Sequence, residues 1–490
     1  MGRFEKEIFD VSGIDKRVSG YYSTPSFVAE FLTKEMLHLN PDGKYVLDPA
    51  VGKEELLKSF FLEGMVIDSF DIIDFGAHKY SHEFKNEDFI DFYKVLKSNL
   101  IFGQQINAKY DYIISNPPYN CHEIDYIRNN KTNLKKLFPQ VGTLNMYSMF
   151  LAAMIDLAKE GALIGVILSD SFLTARLHSG LRQKIFEECS IHHVILCPSE
   201  LFKQQNADVR TVLLILQKGK HFQKMVQVKN RTRSTKELMD VLQSRNFEKV
   251  SLESIIFSKK EPFNQFTIGV CDEINTLFAF PRLGDVFKCL TGISTGNDGK
   301  YLSKVKKEGF SIPFYKNPGS RKFFAEPDAY MIDNFLEEGK KVKDFMVRNK
   351  EYLFKEGITC SSMGVPFSAC YLPEQSTYGV NANIFPPQKD LFWLLSYLNS
   401  SLVTYLVRGI LIRSNMITSG YVSQIPIPYF NEDVKDRLSR IGTDILKSRN
   451  RLEVSESIKE IDNIVFDFLS ISTECRHDIE IFCINLYSAV

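Results

Sequence analysis

Between Tyr45 and Lys218 the apolar runs YVLD, MVIDSFDI, YDYIIS, ALIGVILS, HHVILC and TVLLILQ alternate with amphipathic stretches. That alternation predicts an α/β fold, a doubly wound and mostly parallel open sheet. One crossover is legible in detail. Asn145–Lys159 carries apolar residues at helical spacing, and Gly161 beyond it is expected to stop the helix before the strand ALIGVILS.

A chain of 490 residues exceeds what one hydrophobic core supports. We expect a catalytic sheet domain over residues 1–225, a basic and polar connecting segment over 226–280, an irregular α+β module over 281–430 and a helical region over 431–490. Sixty basic residues balance sixty acidic ones, so net charge gives no pull toward a polyanion. Basic residues do cluster in Lys218–Lys236 and in Lys340, Lys341, Lys343, Arg348 and Lys350, and each cluster is expected to be a solvated face. The nine cysteines include no Cys-x-x-Cys pair, so neither a zinc knuckle nor a disulfide framework is expected, and reduced thiols in the cytoplasm fit best. No apolar stretch approaches membrane-spanning length and the first residues resemble no signal peptide, so a cytoplasmic protein without membrane partners is expected.

The segment Asp111-Tyr-Ile-Ile-Ser-Asn-Pro-Pro-Tyr119 ends a β-branched strand at a polar residue and two prolines. Prolines lack N–H groups and cannot continue a ladder, so Asn116, Pro117, Pro118 and Tyr119 form a rigid loop at the carboxyl edge of the sheet, where ligands of open α/β folds bind. The Asn116 side-chain carbonyl and the Pro117 backbone carbonyl are placed to accept the two hydrogens of a planar amino group and draw its nitrogen toward tetrahedral geometry. Tyr119 offers a face for stacking. Upstream, the turn Asp48-Pro49-Ala50-Val51-Gly52 follows the first strand, where small residues let a nucleoside-like ligand approach and Asp48 holds a charged amino-acid end. Asp71 beside Ile72 ends the next strand at the position of a ribose-binding acid, with Asp74 as a competitor. Asp88 and Phe89 supply a carboxylate and an apolar face for an adenine ring.

Taken together, these segments resemble the amino-methyltransferases of DNA in their gamma arrangement, over most of the chain. Gly20-Tyr-Tyr-Ser-Thr24-Pro25 stands where that family has a Gly-x-x-x-Thr-Pro cofactor segment. Asp48, Pro49, Ala50 and Gly52 match its first turn, whereas Val51, Lys53 and Glu54 replace the family's Cys, Ser and Gly. Leu201-Phe202 resembles the segment whose aromatic residue stacks on an extruded base, and residues 281–430 resemble a target recognition domain. The resemblance implies S-adenosylmethionine as cofactor, methylation of adenine N6 in double-stranded DNA after base flipping, no metal, and a cognate restriction endonuclease or other defence-system subunit as a partner. Three rivals remain. They are a methyltransferase of protein glutamine or RNA, a fused nuclease suggested by Asp328 with Glu338-Gly-Lys340, and a degenerate methylase kept as a specificity subunit. The long C-terminal module, chance occurrence of the acid pattern and the intact Asn116 loop argue against them in turn.

Overall fold

The computed structural model describes residues 22–76, 78–101, 108–119, 124–143, 145–202, 210–219, 225–257, 265–363, 366–411 and 416–488. The chain divides into two units, Met1–Gly269 and Val270–Val490.

The first unit is built on nine strands: β1 (Tyr45–Asp48), β2 (Val66–Phe70), β3 (Glu83–Lys85), β4 (Tyr110–Ser115), β5 (Ala158–Ser169), β6 (Cys189–Leu196), β7 (Thr211–Lys218), β8 (Met225–Lys229) and β9 (Glu248–Ser251). Their order is β3-β2-β1-β4-β5-β7-β6-β8-β9. Strands β1 to β5 pair in parallel, and β7 inserts antiparallel between β5 and β6. The period-two alternation of a strand sends neighbouring residues to opposite faces. Val46, Tyr112, Ile114, Leu163 and Ile167 pack with Val28, Leu32 and Met36 of helix Ser26–Leu39. Leu47, Ile113, Ile164 and Val166 pack on the other face with Met149, Ala153 and Leu181 of helices Met146–Leu157 and Ser179–Glu188. Both faces are therefore covered, and each fully buried Leu or Ile contributes roughly 1.5–3 kcal/mol. Helix Ser26–Leu39 lies directly on β5, since a Cβ on Gly165 would stand 2.5 Å from the Met36 sulfur.

Three sequence expectations are corrected. Gly161 does not stop a helix; the helix ends at Leu157 and β5 begins at Ala158, with Gly161 at φ +83° inside an irregularity between the Tyr110 and Tyr112 pairings. The segment from residue 226 is not a bare connection, because β8 and β9, joined by helix Thr235–Ser244, extend the sheet and the unit runs to Gly269. Its short, half-exposed strands carry too little apolar alternation to stand out in the sequence. Cys271 and Cys475 form a disulfide across 204 residues, a separation that spacing rules cannot see, while Cys189, Cys197, Cys289, Cys360, Cys370 and Cys483 are free.

The second unit is α+β. One four-stranded sheet joins Lys288–Leu290, Asn383–Phe385, Gly357–Cys360 and Ala369–Leu372; another joins Leu302–Ser303, Ala329–Met331, Ile312–Tyr315 and Thr377–Tyr378. Helices Glu432–Ser448, Glu453–Phe468 and Thr473–Ser488 fill its C-terminal part. Among the described residues no single helix is long and apolar enough to cross a membrane; the apolar pair Gln388–Leu398 and Ser401–Leu411 is bent by 67° and buries Leu394, Leu398, Leu402 and Leu406.

The strand order reverses at β1, whose neighbours β2 and β4 start the two halves of the sheet, and a crevice opens there at the carboxyl edge. Its turn contains an unusual residue. Glu54 adopts φ 62°, a left-handed conformation that costs a non-glycine residue roughly 1–2 kcal/mol. The buried Glu54 carboxylate offsets this strain by accepting hydrogen bonds from Lys79 N (2.6 Å), Tyr80 N (2.9 Å), Ser81 N (2.8 Å) and Ser81 Oγ (2.6 Å). Burial opposes the charge, but the Ser81 and backbone donors outweigh it and hold the carboxyl below its ordinary 4.5.

This brace predicts that Glu54→Gly destabilises the first unit despite relieving the backbone, by about 1–3 kcal/mol in urea unfolding, because charge-assisted bonds are lost and their donors are left buried. A group with a lowered folded pKa stabilises fully above its unfolded value and loses that contribution as pH falls through the folded one. The stability gap between wild type and Glu54→Gln should therefore shrink as pH drops below 4.5. A gap that stays constant from neutral pH to pH 3 would show that the carboxylate charge is not what braces the loop.

Candidate functional site

A cavity of about 1190 Å³, open solvent at its mouth included, lies at the carboxyl edge of β1, β2 and β4. The first turn supplies Pro49, Ala50, Val51 and Gly52; the end of β2 supplies Asp71 and Ile72; Asp88 and Phe89 follow β3; and Asn116, Pro117, Pro118 and Tyr119 follow β4. Thr24 completes the set of sequence-predicted residues in its wall. Segments distant in sequence thus meet because each leaves the same edge of the sheet.

Asn116 is fixed from two sides. Its Nδ2 donates to Tyr22 O (3.1 Å) and Thr24 Oγ1 (3.2 Å), and its Oδ1 faces the Tyr119 hydroxyl at 3.0 Å. The single Tyr119 hydroxyl proton has a second acceptor, Ile167 O of β5, at 2.8 Å. When the proton is on Ile167, the Asn116 carbonyl has both lone pairs free for another donor. Burial pushes the Tyr119 phenol well above its usual range, so it stays neutral. The Tyr119 ring is only 6% exposed and meets Tyr22 edge-on at 6.3 Å and Tyr147 at 6.2 Å.

Asp71 joins two turns, its Oδ2 accepting from Gly52 N (2.9 Å) and its Oδ1 from Ile73 N (3.0 Å). Burial raises its pKa against those bonds. Its competitor Asp74 is exposed, outside the wall, and bonded to Gly76 N and His78. Asp88 accepts from Ile90 N at 2.8 Å and is hydrogen-bonded by the Tyr126 hydroxyl, whose pKa rises through burial and through that carboxylate. Phe89 is buried against Phe70 and Phe150.

Three predicted residues lie elsewhere. Asp48 is 1% exposed and sits behind the turn, with Oδ1 accepting from Ala50 N at 3.1 Å. Burial lifts its pKa to about 8, against the hydrogen bonds from Ala50 and Ser115. Pro25 precedes helix Ser26–Leu39, and its carbonyl accepts from Val28 N and Ala29 N rather than facing the cavity. Phe202 is 2% exposed in the core, its ring 6.4 Å from Tyr22, because it packs with Ile195 and Leu213 under the sheet edge. Residues 203–209 of the same segment lie outside the described residues.

Tyr22, Glu55, Phe75, Glu87, Tyr126, Met146 and Phe150 also line the cavity without having been singled out. The tyrosine of Gly20-Tyr-Tyr-Ser-Thr24 was legible as part of a motif, whereas Tyr126, Met146 and Phe150 arrive on helices and only folding brings them in. The wall contains four carboxylates, Glu55, Asp71, Glu87 and Asp88, and among the described residues no Lys, Arg or His. Such a cavity favours a ligand that carries positive charge beside an apolar ring.

Residues 82–275 match the family model described as N-6 DNA Methylase. The chain is 28% identical over 208 residues to the type II methyltransferase M.BanIII of Aneurinibacillus aneurinilyticus, covering 37% of this chain and 36% of the relative. It is 30% identical over 139 residues to M.BsuBI of Bacillus subtilis, covering 27% and 26%. The match therefore spans about a third or less of these relatives. Among solved structures, the type IIL restriction-modification enzyme MmeI in complex with DNA shares the fold at a TM-score of 0.59 and 11% identity, over 98% of this chain and 80% of that one. Residues 82–275, which include the strand leading into the Asn116 loop, are thus the part of the chain that is similar to the N-6 DNA methylase family.

Proposed function

We propose that the chain is an S-adenosylmethionine-dependent methyltransferase acting on N6 of adenine in double-stranded DNA. The observation that carries this reading is the junction of a nucleoside-sized cavity, whose only charged lining residues among those described are acidic, with the fixed Asn116-Pro117-Pro118-Tyr119 loop.

The cavity residues fit the cofactor. A sulfonium and an ammonium would be favoured by the four carboxylates, no Lys, Arg or His lining the wall among the described residues; we assign Asp71 to ribose hydroxyls, and Asp88 with Phe89, Phe150 and Ile72 to the adenine ring. When bound, the cofactor supplies an electrophilic methyl group. The chain's own contribution lies at the acceptor nitrogen. An adenine amino group is a weak nucleophile because its lone pair is delocalised into the ring. The Asn116 Oδ1 and Pro117 carbonyl accept its two hydrogens and stabilise the pyramidal nitrogen of the transition state, without a general base. Two bonds from Nδ2 hold the Asn116 amide in place before substrate arrives, so little reorganisation is needed. The base must leave the duplex to reach this loop, and Tyr119, the aromatic residue of the loop itself, is assigned to meet it.

The second unit, with its short-stranded sheets and terminal helices, is assigned to target recognition, in the region expected over 281–430. A restriction endonuclease or another defence-system subunit is the proposed partner, as befits relatives named type II methyltransferases. The site of action is the cytoplasm of a bacterium.

Sequencing that detects N6-methyladenine in DNA from expressing cells tests the reading as a whole; methyl transfer confined to RNA or protein would replace it. For Asn116→Ala we expect kcat to fall by about 10²–10³, as for loss of a preorganised transition-state partner, with cofactor and DNA affinity nearly kept. Full turnover by this variant would remove Asn116 from the mechanism. For Asp71→Ala we expect cofactor binding weaker by about tenfold or more in calorimetry, the loss of one charge-assisted bond, with DNA affinity unchanged. Asp71→Asn checks that the Gly52 turn has not simply collapsed; unaltered affinity in both variants would reassign the ribose contact.

A further inference from the structure

In the second unit, a hollow beside helix Phe335–Lys341 and the strand Met346–Val347 is lined by Lys340, Lys343, Arg348 and Lys350 over an apolar floor that includes Phe345 and Val347. No carboxylate lines it, and none of the four cations is in an ion pair among the described residues. Its neighbour Glu338 is engaged by Lys341 at 3.3 Å. Four cations around one concavity repel each other and would ordinarily be dispersed or paired.

The frame beneath them is rigid. Phe345 is 2% exposed and packs its ring at 4.6 Å on Tyr301. Met346 and Val347 pair antiparallel with Ser294 and Ile293. Asn349, at φ 47°, fixes the chain between Arg348 and Lys350 by donating from Nδ2 to Thr291 O at 2.8 Å. A Cβ on Gly339 would stand 3.1 Å from both Phe345 and Val347, so the helix carrying Lys340 lies close on this floor. The basic side chains thus project from elements whose backbones are held, an arrangement that lowers the entropic cost of engaging a row of anions.

We infer that this hollow grips the phosphodiester backbone of duplex DNA, fixing register without reading sequence. This rests on the proposed function only in the choice of DNA as the polyanion. Because phosphate contacts release counterions, each lost contact lowers the slope of log affinity against log salt by about 0.9.

The test uses the full chain and a labelled duplex of arbitrary sequence, with binding followed by anisotropy across a salt series. The fourfold variant Lys340→Ala, Lys343→Ala, Arg348→Ala, Lys350→Ala should lose slope in proportion to the contacts removed and bind at least about tenfold more weakly at low salt. Exchanging the lysines for arginine should restore both. Thermal unfolding of the same proteins checks that the frame survives. An unchanged slope in a folded variant, or a wild type that binds no duplex, overturns the proposal. Methyl transfer by wild type, assayed in parallel by sequencing DNA from expressing cells for N6-methyladenine, separates the two readings: transfer with an unchanged slope removes only the hollow, and a reduced slope without transfer to cellular DNA keeps the hollow while removing the methylase reading.

Discussion

The inability of two consecutive prolines to extend a β-ladder governs the site. Strand β4 pairs with β5 up to Ser115, and beyond it the chain must leave the sheet because Pro117 and Pro118 have no N–H to donate. It leaves beside β1, where the strand order reverses and the carboxyl edge is already open. Asn116 then ties the departing loop to the segment before helix Ser26–Leu39, and Tyr119 ties it back to β5 through Ile167. A flexible loop at the same place would pay ordering entropy at every turnover, whereas this one is anchored at both ends before any ligand arrives.

The same edge explains how a departure from the family pattern is accommodated. Where the resemblance leads one to expect glycine, Glu54 keeps the left-handed backbone, and its carboxylate gathers three amide hydrogens and one hydroxyl from residues 79–81. The chain has exchanged backbone freedom for a hydrogen-bonded brace between the turn after β1 and the loop after β2. Asp71 makes the parallel connection, reaching Gly52 from the end of β2. The turn geometry is therefore kept by side chains rather than by the absence of one, and the sequence departure alone does not imply a weakened site.

What the sequence disclosed and what it hid divide along the locality of the information. The Asn116 loop, Gly52 and Asp71 each follow a contiguous apolar run, so their edge position follows from the run itself, whereas Asp88 and Phe89 follow the short polar strand Glu83–Lys85. Choosing Asp71 over Asp74 required coordinates, since the two lie three residues apart and differ only in which one faces the Gly52 turn. A strand-ending acid can turn forward to a ligand or back onto its own turn, and Asp48 accepts a hydrogen bond from Ala50 of that turn. Phe202 and Pro25 lie away from the cavity wall, one buried by neighbours from other strands and the other starting a helix. Tyr126, Met146 and Phe150 carry no local mark, as an aromatic or thioether on a helix reads as core until the fold sets it against a cavity. The disulfide and the two added strands depend on pairings that no window of sequence contains.

A net charge of zero conceals a separation of sign. In the first unit the cavity wall holds only carboxylates, and in the second the hollow holds only cations. Like charges placed together around a concavity destabilise the folded chain by mutual repulsion. Such an arrangement becomes favourable once a ligand of the other sign enters each concavity, which the proposed sulfonium and ammonium would do in one and the proposed phosphates in the other. Under the proposed function both are needed, since cations in the cavity wall would repel a cationic methyl donor and carboxylates in the hollow would repel DNA. Equal totals of acid and base are thus the sum of two opposed local excesses, which is why composition was silent about either ligand.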